Sequence, residues 1–101
     1  MVEFLLFDGI SSYSMNDVNW NKLSFVKRSK YRKKVLQALS EPSMPSELAD
    51  ELDLHQSHVS RALIELKDKD LVEVLNPEDK QGRLYSKTEE GEEIRDKLDS
   101  S

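Results

Sequence analysis

The feature that most constrains this fold is a pair of short amphipathic segments joined by a very tight connection. The first, PSELADEL at residues 45–52, opens with a proline, which suits the first position of a helix, and it carries an apolar face. The second, HQSHVSRALIEL, covers residues 55–66, and only Asp53 and Leu54 separate the two. Its inward positions at helical spacing are Val59, Ala62, Leu63 and Leu66. A connection this short forces the two helices to cross rather than run side by side.

The opposite face of the second helix carries side chains that solubility alone does not explain. With about 100° of rotation per residue, Ser57 and Arg61 lie within about 20° of the side opposite Val59, and Gln56 and Ser60 flank them. Short hydroxylated side chains are middling helix formers that add no charge, so Glu and Lys would solvate a helix better. This face favours recognition of a hydrogen-bonding partner; a merely solvated face is the alternative that the segment by itself leaves open.

The flanking segments predict a mainly α fold with a small β-hairpin. A short helix is expected from about Trp20, and a second one after Ser29, which suits an N-cap. Beyond Asp70, LVEVL and LYSKT are typical of two short strands, and the turn-rich NPEDKQGR joins them. Thr88 can then cap a last helix. The predicted order is therefore a series of helices, a two-stranded hairpin and a final helix.

Length and composition favour a single intracellular domain. The 101 residues contain no cysteine, which excludes disulfides and thiolate zinc sites and makes the cytoplasm the default location. Residues 19–101 form the predicted domain. Residues 1–18 are an N-terminal extension, in which Asp8-Gly9 suits either a hairpin turn or a flexible leader. No apolar run approaches the roughly 20 residues that would span a membrane, so no membrane association is expected.

Charge is unevenly distributed along the chain, whose formal net charge is -5. Seven bases and no acid fall between residues 22 and 34: Lys22, Lys27, Arg28, Lys30, Arg32, Lys33 and Lys34. Residues 89–101 hold six acids against Arg95 and Lys97. One part of the sequence can therefore face a polyanion while the other repels it, and the net acidity does not exclude a nucleic-acid partner.

Four motifs in register identify a family resemblance that runs from about Trp20 to Gly91. They are LSFVKRSKYRKKVLQAL, PSELADEL, SHVSRALIELKDKDLV and GRLYSKTEEG. With these motifs the chain resembles winged helix-turn-helix regulators of the ArsR/MarR type, particularly the small archaeal ones. The resemblance implies a winged helix-turn-helix fold, sequence-specific binding of double-stranded DNA and transcriptional regulation.

The sequence departs from the family pattern at three turns. Asp53 and Asp70 stand where relatives usually have glycine, so both are expected in the left-handed conformation, which Asp tolerates at modest cost. Met44 stands where a Ser or Thr would normally complete a capping box with Glu47. Ser43 is the expected substitute for that missing cap.

In such regulators the N-terminal half of the second crossing helix enters the major groove. The base-reading residues are then Gln56, Ser57, Ser60 and Arg61. Arg favours guanine and Gln favours adenine in bidentate contacts. Contacts to the DNA backbone, or from the hairpin as a wing on the minor groove or adjacent phosphates, are assigned to His58, Ser46, Lys30, Lys33, Lys34, Lys80, Gln81 and Arg83. Glu78 and Asp79 would weaken the wing contact, and a solvated face is an equal alternative for the three lysines of the second helix.

Other classes of function fit the sequence less well. The three glycines form neither a phosphate-binding loop nor a nucleophile elbow, so the chain is not expected to be an enzyme. His55 and His58 lack an evident third ligand, and neither a metal nor a cofactor is predicted. The rival is a winged helix that binds another protein within a larger assembly, which the net acidity and the acidic final helix favour. The outward-facing Ile64 is compatible with a partner contact or with an ordinary exposed apolar residue. A homodimer is expected because two-fold operators are read by dimers, with the apolar N-terminal segment, Trp20, Leu23 and Phe25 as its interface.

Overall fold

The computed structural model describes residues 19–79 and 81–100, and its elements follow the predicted order. They are α1 (Trp20–Lys27), α2 (Lys30–Ala38), α3 (Pro45–Leu52), α4 (Gln56–Asp68), β1 (Val72–Val74), β2 (Tyr85–Lys87) and α5 (Glu89–Ser100). The two strands pair antiparallel, with Val72 opposite Lys87 and Val74 opposite Tyr85. Residues 72–87, the strands and their connecting loop, are called the wing below. The predicted mainly α fold with a small hairpin is confirmed, while the predicted hairpin or leader at residues 1–18 lies outside the described residues.

Side-chain caps set the beginning of three helices. The Asn19 side chain accepts a hydrogen bond from Lys22 N at 3.1 Å, and Ser29 Oγ accepts one from Arg32 N at 3.3 Å. Thr88 Oγ1 accepts from a backbone N–H in the first turn of α5 at 3.0 Å. Such caps satisfy N–H groups that have no partner inside the helix. The predicted N-caps at Ser29 and Thr88 are confirmed.

Helix α3 begins differently from the prediction. Met44 precedes it without a side-chain cap, and the Glu47 carboxylate accepts from Met44 N at 2.8 Å, which is the half of the capping box that the sequence retains. Ser43 does not substitute as the cap. Its hydroxyl donates to Glu41 O, and its backbone is bound to Tyr85 in the wing by two hydrogen bonds of 2.9 and 3.0 Å. Pairing with β2 therefore takes Ser43 away from the helix end.

Two left-handed aspartates make the tight turns on either side of α4. Asp53 has φ 56° and ψ 49°, and Asp70 has φ 62°. A backbone hydrogen bond of 3.0 Å spans each turn, from Leu54 N to Ala49 O at the first and from Leu71 N to Leu66 O at the second. Both predicted left-handed positions are confirmed, and the chain carries the strain of a side chain where glycine would have none.

One core unites the helices and the wing. The inward face of α4 is fully buried as predicted, and it packs with apolar residues of every other helix and of β1. Leu23 of α1 belongs to this core with 5% exposure, so its predicted place in a dimer interface is wrong. Phe25 is half-buried against the same core. Of the three residues predicted for the dimer interface, Trp20 is the exposed one, at 61%. Among the described residues, no helix has the length and apolarity needed to cross a membrane.

Cations from the wing and α5 converge on the carboxyl end of α2. The Lys87 ammonium, whose side chain is 8% exposed, donates to Leu39 O and lies 3.2 Å from the Glu92 carboxylate. Arg95 Nε donates to Gln37 O at 3.3 Å. Positive charge is favourable at the end of a helix where carbonyl groups lack partners. These contacts fix the base of the wing and α5 against α2.

The first turn of α5 lies directly on the backbone of Leu71. A Cβ placed on Gly91 would come within 2.0 Å of Leu71 O. The same carbonyl accepts a hydrogen bond from Thr88 N at 3.1 Å, and Thr88 Oγ1 donates to Asp70 O at 2.7 Å. Only glycine allows this close approach, which joins the turn after α4 to the beginning of α5.

Candidate nucleic-acid interface

A polar cleft lies where α3, α4 and the wing meet. It has a volume of about 200 Å³ and is lined by Ser46 of α3, Gln56 of α4, and Gln81 and Arg83 of the wing. The other lining residues are Met44, Pro45, Gly82 and Tyr85. Three separate segments of sequence thus bring four of the predicted DNA-contacting residues to one place. We call this the wing cleft.

The outward face of α4 is open next to this cleft. Gln56, Ser57 and Arg61 are exposed, and Ser60 is half-buried. The side chain of His55, the residue before the helix, makes no capping hydrogen bond. The beginning of a helix carries the positive end of its dipole, which attracts anions such as phosphate.

Aromatic stacking on α2 orients one flank of α4. The rings of His58 and Tyr31 are parallel within 6°, with their centroids 4.6 Å apart, and the His55 ring meets His58 edge-on at 5.8 Å. The Lys30 ammonium lies 5.5 Å from the centre of the Tyr31 ring, which puts that cation beside the first turns of α4. The sequence had suggested His58 only as a DNA contact, because the stacking partner lies 27 residues away and helical periodicity gives no sign of it.

A second contact between α2 and the same flank of α4 lies two helical turns after the stack of Tyr31 on His58. The Arg32 guanidinium stacks on Phe25 at 3.8 Å from the ring centre and donates to Phe25 O at 2.9 Å. Its Nε lies 3.5 Å from a carboxylate oxygen of Glu65, an ion pair longer than a hydrogen bond. The Lys69 ammonium also lies over Phe25, at 5.3 Å. Glu65 is therefore directed towards α2 and away from the exposed face of α4.

Internal hydrogen bonds shape the wing tip. One carboxylate oxygen of Asp79 accepts from Gln81 N at 3.0 Å and from Gly82 N at 3.2 Å. Across the turn, the Asn76 amide donates to Gly82 O at 2.8 Å and accepts from Leu84 N at 2.7 Å. Asp79, expected from the sequence only to repel phosphate, is thus an acceptor within the turn that presents Gln81. Lys80, a predicted wing contact, lies outside the described residues.

The basic segment of residues 22–34 divides between internal pairing and exposure. Lys22 pairs with Glu90 at 2.6 Å, and Arg32 is engaged with Phe25 and α4. Lys30, Lys33 and Lys34 are exposed, as the sequence predicted. Lys34 lines a shallow groove between α2 and α3 and does not line the wing cleft. Of the three lysines, Lys30 has the contact that brings it beside α4.

Within residues 19–79 and 81–100, no group of three or more His, Asp or Glu side chains is arranged to hold a metal ion. Gln56, Ser57 and Arg61 present amide, hydroxyl and guanidinium groups in the first two turns of one helix. These are the groups that can meet base edges and phosphates.

Comparisons with known proteins agree with this geometry. A family model described as the HVO_A0261 N-terminal domain matches residues 20–101. Among solved structures, wild-type MarR from E. coli in its apo form is similar, with 30% sequence identity and a TM-score of 0.65, over 79% of this chain and 62% of that one. Wild-type ZitR from Lactococcus lactis in complex with DNA is similar at 21% identity, with a TM-score of 0.61, over 69% of this chain and 49% of that one. The transcriptional regulator Tm0710 from Thermotoga maritima is similar at 20% identity, with a TM-score of 0.63, over 79% of this chain and 58% of that one.

The chain thus spans about half to three fifths of the length of these regulators. A comparison with curated proteins finds no match. The MarR-like winged helix predicted from the sequence is confirmed. The ArsR-like and archaeal parts of that resemblance stay predictions.

Proposed function

The chain belongs to the HVO_A0261 N-terminal domain family, and on that basis we propose that it is a DNA-binding transcriptional regulator that recognises a specific double-stranded sequence. In the proposed complex, α4 enters the major groove with its N-terminal half. The wing lies on the minor groove or on the adjacent backbone. The protein acts in the cytoplasm, without a cofactor.

The wing cleft is the observation that carries this proposal. Ser46, Gln56, Gln81 and Arg83 belong to three segments, yet they line one cleft beside the exposed face of α4. A duplex seated on that face would run past the cleft, where hydroxyl, amide and guanidinium groups can donate to phosphate oxygens. Such contacts fix the register of α4 on the duplex, while its own side chains read the bases.

Base reading is assigned to the outward side chains of the first two turns of α4: Gln56, Ser57, Ser60 and Arg61. A B-DNA major groove, about 12 Å wide, admits a helix, and each base pair presents its own pattern of donors and acceptors there. Arg61 is suited to guanine and Gln56 to adenine. His58 and Lys30 lie on the α2 side of the helix, where they are suited to the DNA backbone, with Lys33 and Lys34 further along α2.

The distribution of charge supports this orientation despite the net charge of -5. Acids concentrate on α5, where Glu90 pairs with Lys22 and Glu92 pairs with Lys87. Arg61, Arg83 and Lys30 are exposed beside α4 and the wing. The acidic helix would keep DNA off its own side of the molecule and favour approach to the opposite one.

A homodimer is part of the proposal. Trp20 is exposed at the beginning of α1, with the Lys97 ammonium 5.7 Å from its ring centre, and it is suited to contact a second copy. Light scattering across a range of concentrations would test this. A monomeric mass at the highest concentration would rule out the proposed dimer and would not bear on the proposal of DNA binding.

The test of DNA binding is a titration of labelled mixed-sequence duplex with the protein, followed by anisotropy at several salt concentrations. Each phosphate contact adds about -0.9 to the slope of log K against log salt, so binding should weaken steeply as salt rises. Arg61→Ala should lose preference for a selected site, by roughly 5-fold to 150-fold, the value of one bidentate base contact. Arg28→Ala, which removes the same charge at the end of α1, is the matched control and should keep that preference.

Failure to bind duplex at low salt, from protein that is folded by circular dichroism, would contradict the proposal. The alternative would then be a winged helix that binds another protein. Exposed Trp20 beside Lys97, together with the acidic face of α5, is the surface that favours that second reading.

A further inference from the structure

One large aliphatic side chain interrupts the polar face of α4. Ile64 is 60% exposed. Helical rotation of about 100° per residue places it about 20° from Ser57 and about 60° from Arg61, so the three share one stripe. A single exposed apolar side chain is ordinary on a protein surface, but on this stripe it faces the same partner as Ser57 and Arg61.

Ile64 lies in a groove between α4 and the wing whose lining carries charges of both signs. The groove has a volume of about 520 Å³, and its cations Lys67, Lys69 and Arg83 outnumber its acids Glu65 and Asp68. The Glu65 carboxylate also lies 3.5 Å from Arg32 of α2. This excess of cations makes the groove compatible with an apolar group carried by a polyanion.

Spacing along α4 agrees with a base contact. Seven residues separate Ser57 from Ile64, which corresponds to a rise of about 10 Å. Where α4 follows the direction of the groove, that distance corresponds to about three base-pair steps of 3.4 Å each. Asp68, exposed one turn further on, carries the charge that phosphate repels. Ile64 is the ninth of the thirteen residues of α4 and follows the N-terminal half that enters the groove, so its contact lies where the helix leaves the groove.

Thymine is the base that presents an apolar group in the major groove, its C5 methyl, and aliphatic or aromatic side chains contact it there. We infer that Ile64 is a base-reading residue that recognises the methyl group of a thymine about three base pairs from the base met by Ser57. This inference rests on the proposed DNA-binding function. It adds discrimination at a position that the hydrogen-bonding residues of α4 do not reach.

The experiment removes the methyl group from the DNA rather than from the protein. A tight duplex site is first selected from a randomised pool with the wild-type protein. Each thymine in it is then replaced, one at a time, by deoxyuridine, which keeps the base pair and lacks only the methyl group. Wild-type affinity should fall roughly threefold to tenfold at one thymine, the value of one buried methyl group and its contacts.

Variants then assign that thymine to Ile64. Ile64→Ala should bind the thymine site with the same loss of affinity. Its affinity should not fall further when deoxyuridine replaces that thymine, since the contact is already absent. Ile64→Val, which keeps a branched side chain, should retain part of the response. Leu75→Ala, which removes another aliphatic side chain, 50% exposed in the wing, should keep the full wild-type response.

The outcomes separate this inference from the function on which it rests. DNA binding that responds to deoxyuridine equally in wild type and in Ile64→Ala would overturn the role of Ile64 and leave the regulator proposal standing. A selected site with no methyl-sensitive thymine would do the same. Absence of any duplex binding by folded protein would overturn both. Circular dichroism of Ile64→Ala verifies folding, which a largely exposed side chain should not affect.

Discussion

Replacement of Gly91 by alanine would force a methyl group onto the backbone of Leu71. The new Cβ would lie 2.0 Å from Leu71 O, against about 3.3 Å for an ordinary carbon–oxygen contact, so α5 must move by about 1.3 Å. Overpacking of this kind costs about 1–3 kcal/mol, and the hydrogen bond from Thr88 N to the same oxygen, worth about 1 kcal/mol, would be strained. Helix propensity acts the other way by at most about 1 kcal/mol. We expect the variant to be less stable by about 2 kcal/mol, which is a fall in Tm of roughly 10 °C.

Urea denaturation followed by circular dichroism at 222 nm measures this difference, with the midpoint and the slope fitted separately. Gly82→Ala is the matched control. Its Cβ would come within 3.2 Å of the flexible end of the Met44 side chain, and its φ is not positive, so a change within about 0.5 kcal/mol is expected. If Gly91→Ala were as stable as the wild type or more stable, the contact between α5 and Leu71 could not be as close as described.

Substitutions at four further positions test other features of the fold and of the wing. Asp53→Gly and Asp70→Gly should each raise stability by about 0.5–1 kcal/mol in urea denaturation, because both residues are left-handed; unchanged midpoints would contradict the strain. Lys87→Met should lower stability by about 1–3 kcal/mol, because Leu39 O loses a buried donor, and an unaltered Tm would show that this contact is dispensable. Asp79→Asn keeps the acceptor of the wing turn and removes a charge, so it should bind duplex DNA a few-fold more tightly by anisotropy, whereas Asp79→Ala should not. Equal affinities for the two Asp79 variants would argue against a structural role for that carboxylate.

Local physical signals predicted the order of helices and strands, and the family resemblance predicted the winged helix. Ser29 and Thr88 bear hydroxyls immediately before apolar-periodic segments, and both cap helices as predicted. The spacing of apolar residues in α4 predicted its buried face, since a helix has one core-facing side. Asp53 and Asp70 were expected to be left-handed because the family resemblance puts glycine at those turns, and the backbone agrees. Each of these signals lies within one or two helical turns.

What the sequence could not supply were contacts between distant segments. Ser43 was expected to cap α3, but β2 lies 42 residues further along the chain and engages its backbone instead. Leu23 was expected in an interface, whereas packing against other helices buries it. Nothing in the sequence distinguishes Lys87 from the many other charged residues, although its side chain is nearly buried at the end of α2. The sequence predicted which residues could contact DNA from one helix and one loop. It could not predict that these residues line one cleft, because that depends on the tertiary fold.

The two contacts between α2 and α4 bear on which partner would change shape when a duplex binds. Tyr31 and Arg32 are neighbours on α2, and they hold His58 and Glu65, which lie two turns apart on one flank of α4. Rolling of α4 about its axis would disturb both of these contacts and would also move its buried face out of the core. In the proposed complex, α4 would then not re-aim its side chains to suit a different base sequence. The duplex would then change shape instead. DNA sequences that bend or twist easily towards this surface would bind more tightly than stiffer sequences with the same base edges.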